Sequence, residues 1–153
     1  MYREHTVGVV IPAYNEEGFV GDVIREMPDY VDSMYVIDDC STDGTWGEIL
    51  EAAHADMEQG ETPRYQITEQ VVADGGGSLL GQRATVGDRI GRVVPIQHRE
   101  NLGAGGSIKT GYLAALADEV DITVTVDGDG QMDLSQMEKL LDPIVEGEAD
   151  YAK

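Results

Sequence analysis

Basic residues are scarce in this chain. Its 153 residues hold 10 Lys and Arg against 30 Asp and Glu, a formal net charge of −20. A field of that sign repels nucleic acid and anionic membrane surfaces, and no local basic patch offsets it, so a nucleic-acid partner is not expected. Cysteine is nearly absent as well. Cys40 is the only one, which forbids an internal disulfide and makes a reducing, cytoplasmic compartment the simpler expectation. Long apolar runs are missing: none approaches the roughly 20 residues that span a bilayer. Met1 to His5 lead into no signal-peptide core. The chain therefore reads as soluble and without a transmembrane segment, any membrane association belonging to a longer protein.

What is present is an apolar fraction of 41%, ordinary for a globular protein and enough for one domain with a real core. A single domain over residues 1–153 is expected. The acids are scattered through periodic segments instead of gathered in a tail, so they read as a carboxylate-coated surface, the style of a halophilic protein whose self-repulsion is screened by salt. Gly147 to Lys153 resembles a loop entering a further strand, which predicts a domain truncated on its C-terminal side.

Val7 to Pro12 is apolar almost throughout, as a strand covered on both faces should be. After Ala13-Tyr14-Asn15-Glu16-Glu17, helical spacing brings together Phe19, Val20, Val23, Ile24 and Met27. Met34 to Ile37 is a second strand, closed by Asp38-Asp39. Ser41, Thr42 and Asp43 then offer N-cap oxygens to a helix bearing Trp46, Ile49, Leu50 and Ala53. Val93 to His98 is a further strand, and Pro95, lacking a donor, puts it at a sheet edge. Asn101 to Ser107 opens a helix with Ile108, Tyr112, Leu113 and Leu116 on one side. Thr123 to Val126 is a short β-branched strand ending in Asp127-Gly128-Asp129. Asp133 or Ser135 caps a last helix carrying Met137, Leu140, Leu141, Ile144 and Val145. Strand, polar lip and helix in repetition predict an α/β fold with a mostly parallel sheet and helices on both faces. Residues 57–92 break the pattern with turn chemistry at 59–63 and 74–78 and read as an inserted or partly mobile segment, whose short runs could pair as a hairpin.

Two motif matches fail on physical grounds. Gly103 to Thr110 approximates a P-loop, but Ile108 stands where the backbone must turn its amides onto a phosphate, and β-branching resists that. Asp127, Asp129, Gln131 and Glu138 fall at calcium-loop positions, but Met132 replaces the obligatory glycine and a strand, not a helix, precedes. Acids after a strand can also merely cap the next helix. Position argues otherwise. Asp38-Asp39, Asp127-Gly128-Asp129 and Tyr14-Asn15-Glu16 each follow a strand, and in a parallel sheet all three meet at one edge, where ligands bind. A Mg²⁺ or Mn²⁺ bridging to a diphosphate would resolve the repulsion among such acids. His98 reads as an ordinary strand-end residue, though Arg99 beside it lies within reach of a phosphate. Trp46 reads as core and Cys40 as incidental.

These motifs carry a resemblance. Pro12-Ala13-Tyr14-Asn15-Glu16, Asp38-Asp39-Cys40-Ser41-Thr42-Asp43-Gly44-Thr45, Asn101-Leu102-Gly103 and Asp127-Gly128-Asp129-Gly130-Gln131, in this order, resemble the family 2 glycosyltransferases, most of all the polyprenyl (dolichyl) phosphate sugar transferases. The resemblance implies a nucleotide-diphosphosugar transferase (GT-A type) Rossmann-like sandwich, again with the third strand at the edge. It implies an inverting, metal-dependent transfer of sugar from a UDP- or GDP-sugar to an acceptor such as a polyprenyl or dolichyl phosphate. It places the nucleotide against Pro12, Ala13, Tyr14, Glu16, Asp38, Asp39, Asn101, Gly103 and Asp127, and the metal on Asp127 and Asp129 of this DxD motif. Asp38 or Asp39 would hydrogen-bond the base or ribose. Two departures stand out. Ala104 occupies a position that is lysine in many relatives, with Lys109 further along. The acceptor-side half of the family domain, with any catalytic base, is expected beyond Lys153. The alternatives are a noncatalytic nucleotide-sugar binding or regulatory module and a sugar nucleotidyltransferase of related fold. The latter wants a glycine-rich, basic loop after the first strand, where this chain has Ala13-Tyr14-Asn15-Glu16-Glu17.

Overall fold

The computed structural model describes residues 1–60 and 79–153. Five strands form one sheet: β1 (Val7–Ala13), β2 (Ser33–Asp38), β3 (Ala84–Val86), β4 (Val93–His98) and β5 (Ile122–Thr125), in the order β3-β4-β2-β1-β5. β4, β2, β1 and β5 run parallel, and only β3 is antiparallel, against β4. The helices are α1 (Val20–Arg25), α2 (Thr45–Gln59), α3 (Leu79–Arg83), α4 (Gly103–Ala117) and α5 (Met137–Val145), the last preceded by a 3-10 turn over Leu134–Gln136.

Period-two alternation divides the strands between two cores. Val7, Val9, Ile11, Met34 and Val36 face one side with Val20, Val23 and Ile24 of α1, Ile49, Ala52 and Ala53 of α2, and Met137 and Leu141 of α5. Val10, Tyr35, Ile37, Val94 and Ile96 face the other with Leu80 of α3 and Ala114 and Ala115 of α4. Helices therefore cover both faces, as near-continuous apolar strands require. The α/β prediction with a mostly parallel sheet holds.

Four expectations are corrected. The strand over Val93–His98 is outermost only among the parallel strands, because β3 pairs with its far side. Pro95 survives there because its missing donor points, like its own carbonyl, toward the end of β3, where that carbonyl accepts from Gly87 N at 2.7 Å. The helix after Asn101 does not bury its large apolar residues: Tyr112 is 48% and Leu116 75% exposed, while Ser107, Thr110, Gly111, Ala114 and Ala115 form the buried face. That face is small because α4 lies close on β1; a Cβ on Gly111 would stand 2.2 Å from Val10 Cγ1. Ser41 and Thr42 do not cap α2. Gly44 is its N-cap, and the Asp43 carboxylate accepts instead from Thr45 N at 3.0 Å. Phe19, expected on the buried face of α1, is 54% exposed. The hairpin expected within residues 57–92 falls on residues outside those described. Of the flanks, 57–59 finish α2 and 79–86 form α3 and β3.

Candidate functional site

The parallel strands deliver their carboxyl ends to one rim, and backbone bonds fasten those ends to each other. Asp39 N donates to the Ala13 carbonyl at 2.9 Å, joining the β2 lip to the β1 lip. Gly128 N donates to the Pro12 carbonyl at 3.2 Å, joining the β5 lip from the other side. A Cβ on Gly128 would lie 2.9 Å from that carbonyl oxygen, so glycine between the two aspartates is what lets their loop press on β1. The loop after β4 closes the row: Leu102 N and Gly103 N donate to the Asp39 carboxylate at 2.7 and 2.9 Å, and Asn101 Nδ2 to the Asp39 carbonyl at 3.3 Å. The three acidic or polar strand ends, and the Asn101 loop with them, are thus contiguous.

The loops after β1 and β2 are laced together by side chains. Asn15 N donates to Ser41 Oγ at 3.0 Å, and Asn15 Oδ1 accepts from Thr42 N at 2.9 Å. Glu16 N donates to Thr45 Oγ1 at 2.9 Å, and Gly44 N to Glu17 at 3.2 Å. Glu48 accepts from Gly18 N and Gly21 N at 2.6 and 3.1 Å. Asn15 and Cys40 both have φ in the left-handed region, 50° and 61°. Asn tolerates this conformation better than Cys does, so the backbone at Cys40 is strained.

The individual residues divide by accessibility. Tyr14 (46%) and Asp127 are exposed; Pro12, Glu16, Gly103 and Asp129 are half-buried. Ala13, Asp38 and Asp39 are buried. Asp38 accepts from Ser41 N at 3.0 Å and from Gln97 Nε2 at 3.3 Å. Asn101 is exposed, as is Lys109 on α4. Arg99 points its guanidinium at the Gly81 carbonyl, 2.7 Å away. His98 is not an ordinary strand-end residue. It is 2% exposed, with Nδ1 2.8 Å from Asp39 Oδ1 and Nε2 2.7 Å from Thr110 Oγ1. Thr110, the threonine of the P-loop-like stretch, thus faces inward, and the amides opening that helix are taken by the Asp39 carboxylate instead of a phosphate.

At the β5 end, negative charge gathers without a cationic partner. Asp129 accepts from Gln131 N at 3.0 Å, and among the described residues no ion pair reaches Asp127 or Asp129. Partial burial, then the charges of Asp129, Asp127 and Asp43, push the Glu16 carboxyl above its usual range. Two hard oxygen donors in such a field suit a divalent cation. No group of three His, Cys, Asp or Glu side chains among the described residues forms a metal cage. A cation here would therefore draw further ligands from a substrate and from water, the habit of Mg²⁺.

Sequence reasoning named Asn15 without giving it a role of its own, and gave none to Glu48, His98 and Thr110. Asn15 was legible as an asparagine that tolerates left-handed backbone; the other three act through partners distant in sequence.

Comparison with known proteins agrees with this fold. Residues 8–71 match the model of the family described as Glycosyl transferase family 2. UDP-N-acetylglucosamine--dolichyl-phosphate N-acetylglucosaminyltransferase of Methanococcus voltae is 26% identical over 144 residues, 94% of this chain and 49% of that protein. The chain thus spans about half the length of the curated relative it matches. Among solved structures, residues 1–349 of S. aureus TarS in complex with UDP-GlcNAc give a TM-score of 0.50 at 20% identity, over 95% of this chain and 32% of that one. Glucosyl-3-phosphoglycerate synthase from Mycobacterium tuberculosis gives 0.51 at 24% identity, over 95% and 41%. At these identities the solved structures speak for the fold. Motifs, fold and comparisons converge: the chain has the GT-A fold, and its residues 8–71 are similar to glycosyl transferase family 2.

Proposed function

We propose that this chain is the donor-binding portion of an inverting glycosyltransferase that takes its sugar from a nucleotide-diphosphosugar. The observation that carries the reading is the contiguity of the β1, β2, β4 and β5 lips, which sets a laced wall beside Asp127 and Asp129, two aspartates without an ion-pair partner among the described residues. Tyr14, exposed at the rim, offers a face for a base, while Pro12, Ala13 and Glu16 line the approach and Asn101 and Gly103 close the far side. Asp38 and Asp39 lie behind that wall, with Asp39 keeping acceptor capacity on Oδ2 for a base or ribose donor. Asp127 and Asp129 would hold Mg²⁺ or Mn²⁺ with the donor diphosphate. When bound, that ion supplies Lewis-acid neutralisation of the charge that grows on the departing nucleoside diphosphate. Gly128 keeps the two carboxylates seated on β1, and Glu16 adds a third negative group beside them.

Inversion places the acceptor oxygen on the face of the sugar opposite the diphosphate. A lipid phosphate already carries an anionic oxygen and would need no base to deprotonate it. The Methanococcus voltae relative is named for a dolichyl-phosphate acceptor, which favours a polyprenyl-phosphate acceptor and membrane association of the full-length enzyme. No helix among the described residues is long and apolar enough to cross a membrane. The charge of −20 further suggests a halophilic protein working at high salt.

Calorimetry in concentrated KCl, with UDP and GDP and with or without Mn²⁺, tests the reading. Metal-dependent nucleotide binding is expected, with UDP the better ligand. No such binding by folded protein would sink it. Binding without turnover toward a polyprenyl phosphate would favour a noncatalytic nucleotide-sugar module.

A further inference from the structure

We infer that His98 and Thr110 are positioning residues for the nucleotide site, acting through Asp39 on the Asn101–Gly103 loop; the inference rests on the nucleotide reading above. His98 ends β4, Asp39 directly follows the neighbouring strand β2, and Thr110 sits on the buried face of α4. All three side chains are buried, His98 at 2%, Asp39 at 3% and Thr110 at 0% exposure. They form a chain: Thr110 Oγ1, 2.7 Å to His98 Nε2, then His98 Nδ1, 2.8 Å to Asp39 Oδ1. From Asp39 it reaches Leu102 N and Gly103 N.

The protons fix the direction. With backbone amides donating to both Asp39 oxygens, the carboxylate is the acceptor and Nδ1 carries a proton toward it. Thr110 has one hydroxyl proton for two neighbours, Nε2 and the Gly106 carbonyl at 3.0 Å. Either choice leaves Nδ1 as the donor. His98 therefore ties the Asp39 carboxylate to β4, and that carboxylate holds two consecutive amides of the loop facing the nucleotide wall. A buried carboxylate without the imidazole would keep its amides but lose its tie to β4, and loop and wall would shift together.

Side-chain geometry supplies the test. The amide nitrogen of asparagine occupies the place of histidine Nδ1, whereas that of glutamine extends to the place of Nε2. UDP affinity is measured by calorimetry with Mn²⁺ in 2 M KCl for the wild-type chain and for His98→Asn, His98→Gln, His98→Leu and Thr110→Val. Val23→Ala, a truncation in the other core, serves as a reference for lost stability alone. The expected result is a loss of about tenfold for His98→Gln and His98→Leu, and a rescue to within about threefold by His98→Asn. Thr110→Val should fall between. In parallel, the Leu102 and Gly103 amide resonances should keep their positions in His98→Asn and move upfield in His98→Gln and His98→Leu. Equal losses for Asn and Gln, or losses that track melting temperature through Val23→Ala, would overturn the inference. So would unmoved Leu102 and Gly103 resonances in His98→Leu. Failure of the folded wild-type chain to bind UDP would instead overturn the nucleotide reading, since the amide shifts report the relay without ligand.

Discussion

Replacing Asp39 by Asn probes the joint between the two halves of the rim. The carboxylate accepts from Leu102 N and His98 Nδ1 on one oxygen and from Gly103 N on the other. An amide in the same place keeps one oxygen. Its better orientation retains Leu102 and His98 and turns an NH₂ group toward the Gly103 N–H, so one charge-assisted bond is lost and two donors face each other. Such a bond is worth about 1.5–3 kcal/mol, and a stranded buried donor costs about 1–3 kcal/mol more. A loss of about 3 kcal/mol, toward the lower end of that sum, is the expectation, since the new amide group can turn partly away from the Gly103 N–H. Removing one negative charge from a chain at −20 works in the opposite direction by relieving repulsion. At 1 M salt, however, the screening length is about 3 Å, so the local bonds should win. Urea denaturation in concentrated KCl is the assay. With a slope of about 2 kcal/mol per molar for a domain of this size, the midpoint should fall by about 1.5 M. A shift under about 0.3 M would show that the Asp39 cap on α4 does not contribute in solution, and the geometry of the rim would have to be redrawn.

Gly128→Ala should cost about 1–3 kcal/mol through overpacking, because the new Cβ meets the Pro12 backbone oxygen, which cannot move aside. It should also weaken Mn²⁺-dependent UDP binding, both effects being read by urea titration and calorimetry on the same preparation. Cys40→Gly should stabilise: it releases about 1–2 kcal/mol of left-handed strain against about 0.5–1 kcal/mol of added chain entropy. Calorimetric melting should therefore rise by a few degrees. Asp121→Asn should flatten the acid limb of stability. The backbone amide of Thr6, at 2.8 Å, and then its hydroxyl, at 3.1 Å, hold the Asp121 carboxyl below its usual range. A depressed acid contributes stability above its unfolded value and loses it as pH falls through the lower folded one. The gap between wild type and variant should accordingly be open at pH 6 and closed below the ordinary aspartate range; a pH-independent gap would reject the assignment.

The strands and their acidic lips were readable because buried parallel strands are near-continuous apolar runs, and a run that stops in Asp127 or Asp38 marks its own carboxyl end. The convergence of the lips followed from topology. What escaped was whatever depends on the distance between layers. α4 approaches β1 so closely that its buried face is Ser107, Thr110, Gly111, Ala114 and Ala115, and hydrophobic periodicity pointed to the opposite side. β3, three residues long, carries too little pattern to be seen, and its presence moved Pro95 off the edge. His98 and Thr110 lie 12 positions apart and meet only because α4 turns back over the sheet after β4. Asp39 looked like a ligand residue and is first of all a helix cap, a role that needs its partner loop in place to be recognised.

The central claim is that the β1, β2 and β5 lips form one metal-dependent diphosphate site. Paramagnetic broadening tests it most directly: Mn²⁺ is titrated into the isotope-labelled chain at high salt, without and with UDP, and amide signals are followed. The account predicts that broadening centres on Asp127 to Gln131, extends to Tyr14 to Glu16, and sharpens in position when UDP is added. Broadening that centres on the acidic helix surfaces, or that ignores UDP, would contradict it.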